Sequence, residues 1–167
     1  MANEVMRSEF TDTRPAAQHY IPGLAKVYAN LDEWAHVLIR VAFGAILIPH
    51  GMQKLFGSFG GPGMSGFIGA MQKIGYSAEM SPFLSWLIAL LEFGGGILLV
   101  LGLFTRPVAL AALIFMLEAA RVHYGVGGFF WTLRGNEYPL ILAAISLYLL
   151  IRGGGPYSLD AKMGKEF

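Results

Sequence analysis

Apolar residues fall along this chain in four long stretches, and polar residues interrupt those stretches at few positions. The first stretch predicts a helix over about Trp34–Phe56, with Asp32 as its N-cap. The second predicts a helix over about Pro82–Phe104, with Ser81 as cap and Pro82 in the first turn. The third runs over about Arg106–Tyr124 and is started by Thr105-Arg106-Pro107. The fourth runs over about Tyr138–Arg152 and stops at Gly153-Gly154-Gly155-Pro156. Each is near the roughly 20 residues that about 30 Å of hydrocarbon requires, although the fourth is short. The expected fold is an all-α membrane protein, an antiparallel four-transmembrane-helix bundle.

The connecting segments carry weaker helical signals. Residues 1–33 read as an N-terminal polar arm followed by an interfacial helix. In it Leu24, Val27, Tyr28 and Leu31 recur at helical spacing, and Tyr20, Tyr28 and Trp34 suit the headgroup region. A flexible lead-in is the alternative. The first loop is Gly-rich from Gly57 to Gly66, and then Phe67, Ile68, Met71 and Ile74 recur beside Lys73, which predicts a short amphipathic surface helix. The few residues around Gly102–Pro107 force the second and third helices antiparallel. Phe129, Phe130 and Trp131 form an aromatic cluster suited to the interface or to capping a cavity. Residues 34–160 are the expected membrane domain, and 161–167 a polar tail.

Composition fits this pattern. Of 167 residues, 55% are hydrophobic and 14% charged, against about 25% charged in an ordinary soluble domain. Mean hydropathy is +0.55. A soluble chain of this length could not bury so much apolar surface, so the lipid bilayer is the expected solvent. The net charge of +1 and the dispersed basic residues give no sign of nucleic-acid binding. The chain has no cysteine, which excludes disulfides, thiol relays, cysteine-ligated clusters and c-type haem attachment within it. It carries no covalent cofactor motif. Residues 1–12 are polar and are not expected to act as a signal peptide.

Basic residues set an expected orientation. With the N-terminus cytoplasmic, Arg7, Arg14, Lys26, Arg106, Arg152, Lys162 and Lys165 lie inside, and Lys54, Lys73, Arg121 and Arg134 outside. That bias favours both termini cytoplasmic, in a multi-pass protein of a bacterial inner membrane.

Seven ionisable residues lie in or at the ends of the apolar stretches: Arg40, His50, Lys54, Glu92, Glu118, Arg121 and His123. A charge at the centre of a membrane helix costs about 2.5–3.5 kcal/mol on insertion scales, so such groups are usually paired and often functional. In an antiparallel bundle His50, Lys54, Glu118, Arg121, His123 and Glu137 all fall towards the outer ends. Glu92 lies about 15 Å into the second helix. An outward-opening polar site is the simplest arrangement. Arg40, Leu47 and Lys54 are spaced by sevens and share a face with Gly44 and Gly51, with His50 beside it. Gly95 and Gly96 neighbour Glu92 and permit close approach of a helix or a flat ligand.

Each residue also has a plainer role. Lys54 could snorkel to headgroups, Glu118 could simply pair with Arg121, and the glycines could serve packing alone. His123 could be an interfacial residue. Glu92 is hardest to explain in that way, because a carboxylate near mid-bilayer needs a partner or a proton. His50, His123 and two glutamates could in principle ligate a metal. However, Glu118 and His123 are five apart and diverge on a helix, so neither a metal nor a b-type haem is assigned.

Two further groupings are specific in their order and spacing. Arg40-Val41-Ala42-Phe43-Gly44 precedes Pro49-His50-Gly51-Met52-Gln53-Lys54-Leu55-Phe56-Gly57. Leu91-Glu92-Phe93-Gly94-Gly95-Gly96 leads into Leu101-Gly102-Leu103-Phe104-Thr105-Arg106-Pro107, and the chain closes with Gly153 to Asp160. Over about Leu38–Asp160 the chain resembles the DoxX family of four-helix bacterial membrane proteins. The resemblance implies a membrane bundle and a link to thiosulfate:quinone oxidoreductase, oxidative-stress, thiol-redox or quinone-detoxification systems. It maps the family's polar pattern onto Arg40, His50, Lys54, Glu92, Arg106 and Glu137, with a later histidine near His123.

The expected function is that of an integral membrane protein in a quinone-linked redox system. It would bind quinone or quinol, or a small redox substrate, in an outer-leaflet pocket. His50, Lys54 and Glu92 are the expected catalytic residues. Lys54 and His50 would contact the ring oxygen and Glu92 would relay protons. Arg40, Gly95, Glu118, His123 and Glu137 are the expected cofactor-binding residues. The alternative is a non-catalytic accessory or scaffolding subunit of a larger membrane complex. A small carrier or channel is a weaker third, because no continuous polar path is evident. Expected partners are the bilayer, a second copy or other subunits of a membrane complex, and a soluble redox protein.

Overall fold

In lipid a backbone must satisfy its own hydrogen bonds, so apolar runs that cross a membrane form helices. The computed structural model describes residues 20–165, and those residues contain helices and turns but no strand. The helices are α1 (Pro22–Phe56), α2 (Gly63–Lys73), α3 (Met80–Leu101), α4 (Thr105–Gly127), α5 (Glu137–Arg152) and α6 (Leu159–Met163). Helices α1, α3 and α4 are long and apolar enough to cross a membrane. Helix α5 has 16 residues, fewer than the roughly 20 that a full crossing takes. It packs along α4. Large apolar side chains such as Leu38, Leu87, Ile114 and Ile151 are more than half exposed, as expected where lipid surrounds the protein.

Several local expectations are corrected. The chain divides into two compact units, Met1–Asp32 and Glu33–Phe167. The expected polar arm falls mostly on residues 1–19, outside the described residues. In the first unit, residues 22–32 are helical and expose Leu24, Val27, Tyr28 and Leu31. The helix bounds are Pro22–Phe56, so Asp32 is an interior residue and no cap. The sequence offers no glycine or proline between Gly23 and Gly44 to break the helix. Ser81 is likewise not a cap. It is buried and its hydroxyl donates to the Ser77 carbonyl at 2.7 Å. The capping contact comes from Ser77, whose Oγ accepts from Met80 N at 3.2 Å.

Helix α3 ends at Leu101 because Gly102 takes a left-handed conformation (φ 67°), with Leu103 N donating to Leu98 O at 2.9 Å. Near this end two charges bind backbone. Arg40, 1% exposed, donates to the carbonyls of Leu99 (2.9 Å), Val100 (3.2 Å) and Tyr157 (2.8 Å). It thereby adds side-chain donors to two carbonyls at the end of α3 and to one in the turn before α6. Asp160 accepts from Phe104 N (2.8 Å) and Thr105 N (2.9 Å), capping α4 from 55 residues away. The core between the helices is apolar and contains Phe43, Leu47, Leu99, Ala112, Leu142 and Leu149.

Helices α1 and α3 touch through glycine. A Cβ on Gly44 would lie 2.5 Å from Gly96 O, and one on Gly96 would lie 2.8 Å from Gly44 O. A Cβ on Gly51 would come within 2.7 Å of Phe93 Cα. Small residues let membrane helices approach this closely. Within α3, residues Leu91–Gly95 form a π-helical turn, a feature that often marks functional sites.

Replacing Gly51 with valine is expected to destabilise the fold by about 1–3 kcal/mol through overpacking, measured as reversible unfolding in detergent. Asp160→Ala is expected to cost about 1.5–3 kcal/mol, because it removes charge-assisted bonds to two amides. The same unfolding assay reads it.

Candidate functional site

The contact of Gly51 with Phe93 fixes the site. Lys54 lies three residues beyond Gly51 on α1, and Glu92 immediately precedes Phe93 in the π-helical turn. Lys54 Nζ reaches Glu92 Oε2 at 2.5 Å. The lysine side chain is 16% exposed and the glutamate 5%, so both charges are largely removed from solvent and each is the other's main compensation. Lys54 Nζ also makes a longer contact, 3.4 Å, to the His50 carbonyl. It sits 5.2 Å from the centre of the Phe67 ring, within cation–π range. Phe93 meets Phe56 edge to face at 5.6 Å, which holds the end of α1 against α3.

A cavity of about 490 Å³ adjoins this ion pair, within the range of small-molecule sites. His50, Lys54, Glu92, Glu118 and His123 all line it. Five of the eight expected site residues are therefore gathered around one space. The other three are not. Arg40 is engaged with carbonyls at the opposite end of the helices, where its planar fork of donors matches several main-chain acceptors at once. Gly95 faces α4, where a Cβ would lie 3.1 Å from Val108 Cγ1, so it serves packing. Glu137 accepts from Trp131 N at 3.1 Å and thereby shapes the loop before α5. Its neighbours Trp131 and Tyr138 line the cavity in its place.

A second charged group stands across the cavity. Glu118 accepts from Arg121 Nε (2.8 Å) and Nη2 (2.5 Å), and also from the Tyr76 hydroxyl. Hydrogen bonding to this carboxylate, followed by burial, raises the Tyr76 phenol above its ordinary pKa of 10.0. Tyr76 therefore stays a neutral donor through the physiological range. His123 Nδ1 lies 2.8 Å from Arg134 O. A carbonyl can only accept, so in the neutral ring Nδ1 carries the hydrogen and Nε2 keeps the lone pair.

Sequence reasoning missed Tyr76, Phe67 and Met71 as parts of this wall. Phe67 and Met71 belong to the amphipathic helix of the first loop, and their helical spacing was the available signal. It predicts which face is apolar, and nothing in it says that this face covers a cavity. Tyr76 had no signal, because its partner lies 42 residues away. Among the described residues, no cluster of three or more His, Cys, Asp or Glu has metal-binding geometry.

Comparison with known proteins agrees with the residue pattern. The DoxX family profile matches residues 35–125. "Inner membrane protein YphA" of Escherichia coli (strain K12) is 31% identical over 136 residues, covering 75% of this chain and 90% of that protein. An "Uncharacterized protein" of Haemophilus influenzae is 37% identical over 82 residues, covering 46% of this chain and 59% of that protein. No solved structure matches the chain.

Breaking the ion pair from one side leaves a buried charge uncompensated, whereas removing both charges does not. Lys54→Met is expected to destabilise by about 3 kcal/mol, the low end of the range for buried pairs, since Lys54 keeps some exposure. The double variant K54M/E92L should recover most of that loss. A double-mutant cycle of unfolding free energies in detergent tests it.

Proposed function

The chain belongs to the DoxX family, and from that membership and the chemistry of the cavity we propose that it is an inner-membrane protein of a quinone-linked redox system. The inner membrane is the location in the name of its E. coli relative. In this reading α5 completes the bundle as a fourth, short span. Both termini are cytoplasmic, and the cavity opens towards the outer face.

The observation that carries the reading is the Lys54–Glu92 pair set against a cavity of about 490 Å³. A quinone ring needs donors for its oxygens, flat apolar walls, and groups that hold or move protons. The residues fit those needs. Lys54 has three ammonium hydrogens; one is directed to Glu92 and one, at longer range, to the His50 carbonyl. The third can serve a ring oxygen. The Tyr76 phenol, His50 and His123 add hydroxyl and imidazole groups around the same space. Phe67, Met71 and Phe115 supply apolar and aromatic wall.

When bound, a quinone supplies the capacity to take up two electrons and two protons. The electrons come from a reduced soluble protein or small substrate outside this chain, since a chain without cysteine holds no dithiol of its own. The chain's own residues handle protons and orientation. Lys54 polarises the ring oxygen while its charge is balanced by Glu92. Glu92, buried and hydrogen-bonded to Lys54, is the group through which a proton reaches or leaves that ammonium. The low dielectric around the pair strengthens each of these interactions.

The test is binding and turnover by the purified protein. A water-soluble benzoquinone is expected to bind the wild type, and Glu92→Gln, which keeps the shape but not the charge, should reduce turnover with a chemical reductant by about 10²–10⁴-fold. If the pure protein binds no quinone and the substitution changes nothing, the chain is instead an accessory subunit. Gentle solubilisation would then recover it in a stable hetero-complex.

A further inference from the structure

A second, apolar hollow of about 320 Å³ lies beside the polar cavity. The two share Met71, Tyr76, Ile88, Phe115 and Glu118 as lining residues, so they adjoin along a common wall. Beyond that wall the second hollow is bounded by α3 and α4 alone, through Leu84, Leu87, Leu91, Ala111 and Ile114. Leu84 to Leu91 and Ala111 to Glu118 are each two helical turns, so the hollow runs roughly 10 Å along the helices. Leu87 is 53% exposed and Ile114 63%, so its flank faces lipid.

Polarity changes sharply between the two spaces. The first holds the ammonium, the imidazoles and two carboxylates. In the second, Tyr76 and Glu118 are the polar members, and they are bonded to each other. Arg121 takes the remaining charge of Glu118. The groups at the junction are thus paired among themselves, and the rest of the hollow offers a guest only hydrocarbon.

We infer that the hollow between α3 and α4 is a tail subsite, so that the ligand is a membrane-dissolved amphiphile whose chain lies against Leu87, Leu91, Ala111 and Ile114 while its head reaches the Lys54–Glu92 pair. The inference rests on the proposed quinone reading for the identity of the head. It adds that the ligand carries a tail and enters sideways from the bilayer between the second and third spans. Burial of each methylene of such a tail favours the seated position over water. The fit of the tail between the two helices, which lipid alone does not supply, selects the subsite over the surrounding bilayer.

The experiment compares two probes on the full chain in nanodiscs: 2,3-dimethoxy-5-methylbenzoquinone without a tail, and its decyl derivative. Affinities are corrected for partition into protein-free nanodiscs. The decyl probe is expected to bind wild type at least tenfold more tightly. Ala111→Trp, which fills the hollow, should cut that advantage to under threefold. A decyl probe with a diazirine at the chain end should label peptides 84–91 and 111–118, competed by unlabelled probe. This second measurement does not depend on the variant folding. Equal corrected affinities in wild type, or labelling elsewhere in the chain, overturn the tail subsite while leaving the head site intact. Labelling of the hollow that Lys54→Met does not weaken makes it a general lipid groove and also overturns the inference. If neither probe binds, the quinone reading itself fails and the tail subsite fails with it.

Discussion

The close approach of α1 to α3 is the constraint on which the site depends. Gly44 against Gly96, and Gly51 against Phe93, bring two backbones to a separation that no side chain would allow. Lys54 and Glu92 can then meet directly at 2.5 Å. A lysine at the end of a membrane helix would ordinarily extend towards the headgroups. Here the partner carboxylate is near enough to hold it inward. The charge pair is therefore a consequence of the packing, and the cavity acquires its polarity from the same contact.

The opposite end of the molecule uses charge for a different purpose. Arg40 and Asp160 are both nearly inaccessible, yet their bonds go to main-chain carbonyls and amides. They reinforce the helix ends at the tight turn from α3 to α4, adding to the backbone bonds that already close α3. The two ends thus divide the labour: one secures the backbone, and the other leaves ionisable groups beside open space. This division accounts for the different fates of two residues on the same face of α1. Arg40 meets main-chain carbonyls, and Lys54 meets a carboxylate and a cavity.

Much of this was legible in the residues, and what was hidden has a physical reason. Apolar runs located the helices α3, α4 and α5 to within a few residues, and the Gly-rich loop correctly held a short amphipathic helix. The proposed gathering of His50, Lys54, Glu92, Glu118 and His123 followed from topology alone, because antiparallel helices of similar length bring known ends together. Arg40, Gly95 and Glu137 lie away from the cavity lining; sequence shows that a residue is polar or small without showing which neighbour claims it. Ser77 took the capping role expected of Ser81, since either serine satisfies the local pattern and only the path of the chain chooses. Tyr76 and Asp160 act on partners 42 and 55 residues distant, beyond any local periodicity.

The π-helical turn Leu91–Gly95 has a consequence for how α3 presents its surface. A turn closed by i→i+5 bonds carries an extra residue, so the segments before and after it are rotated out of register with one uninterrupted α-helix. The stretch Met80–Leu90 can therefore direct its stripe towards α2 and the apolar hollow, while Gly96–Leu101 directs another towards α1. Two interfaces with incompatible phases coexist on one rod. The carboxylate sits at the seam between them, so the winding of this one turn sets both its approach to the lysine and the phase between the two flanking stripes.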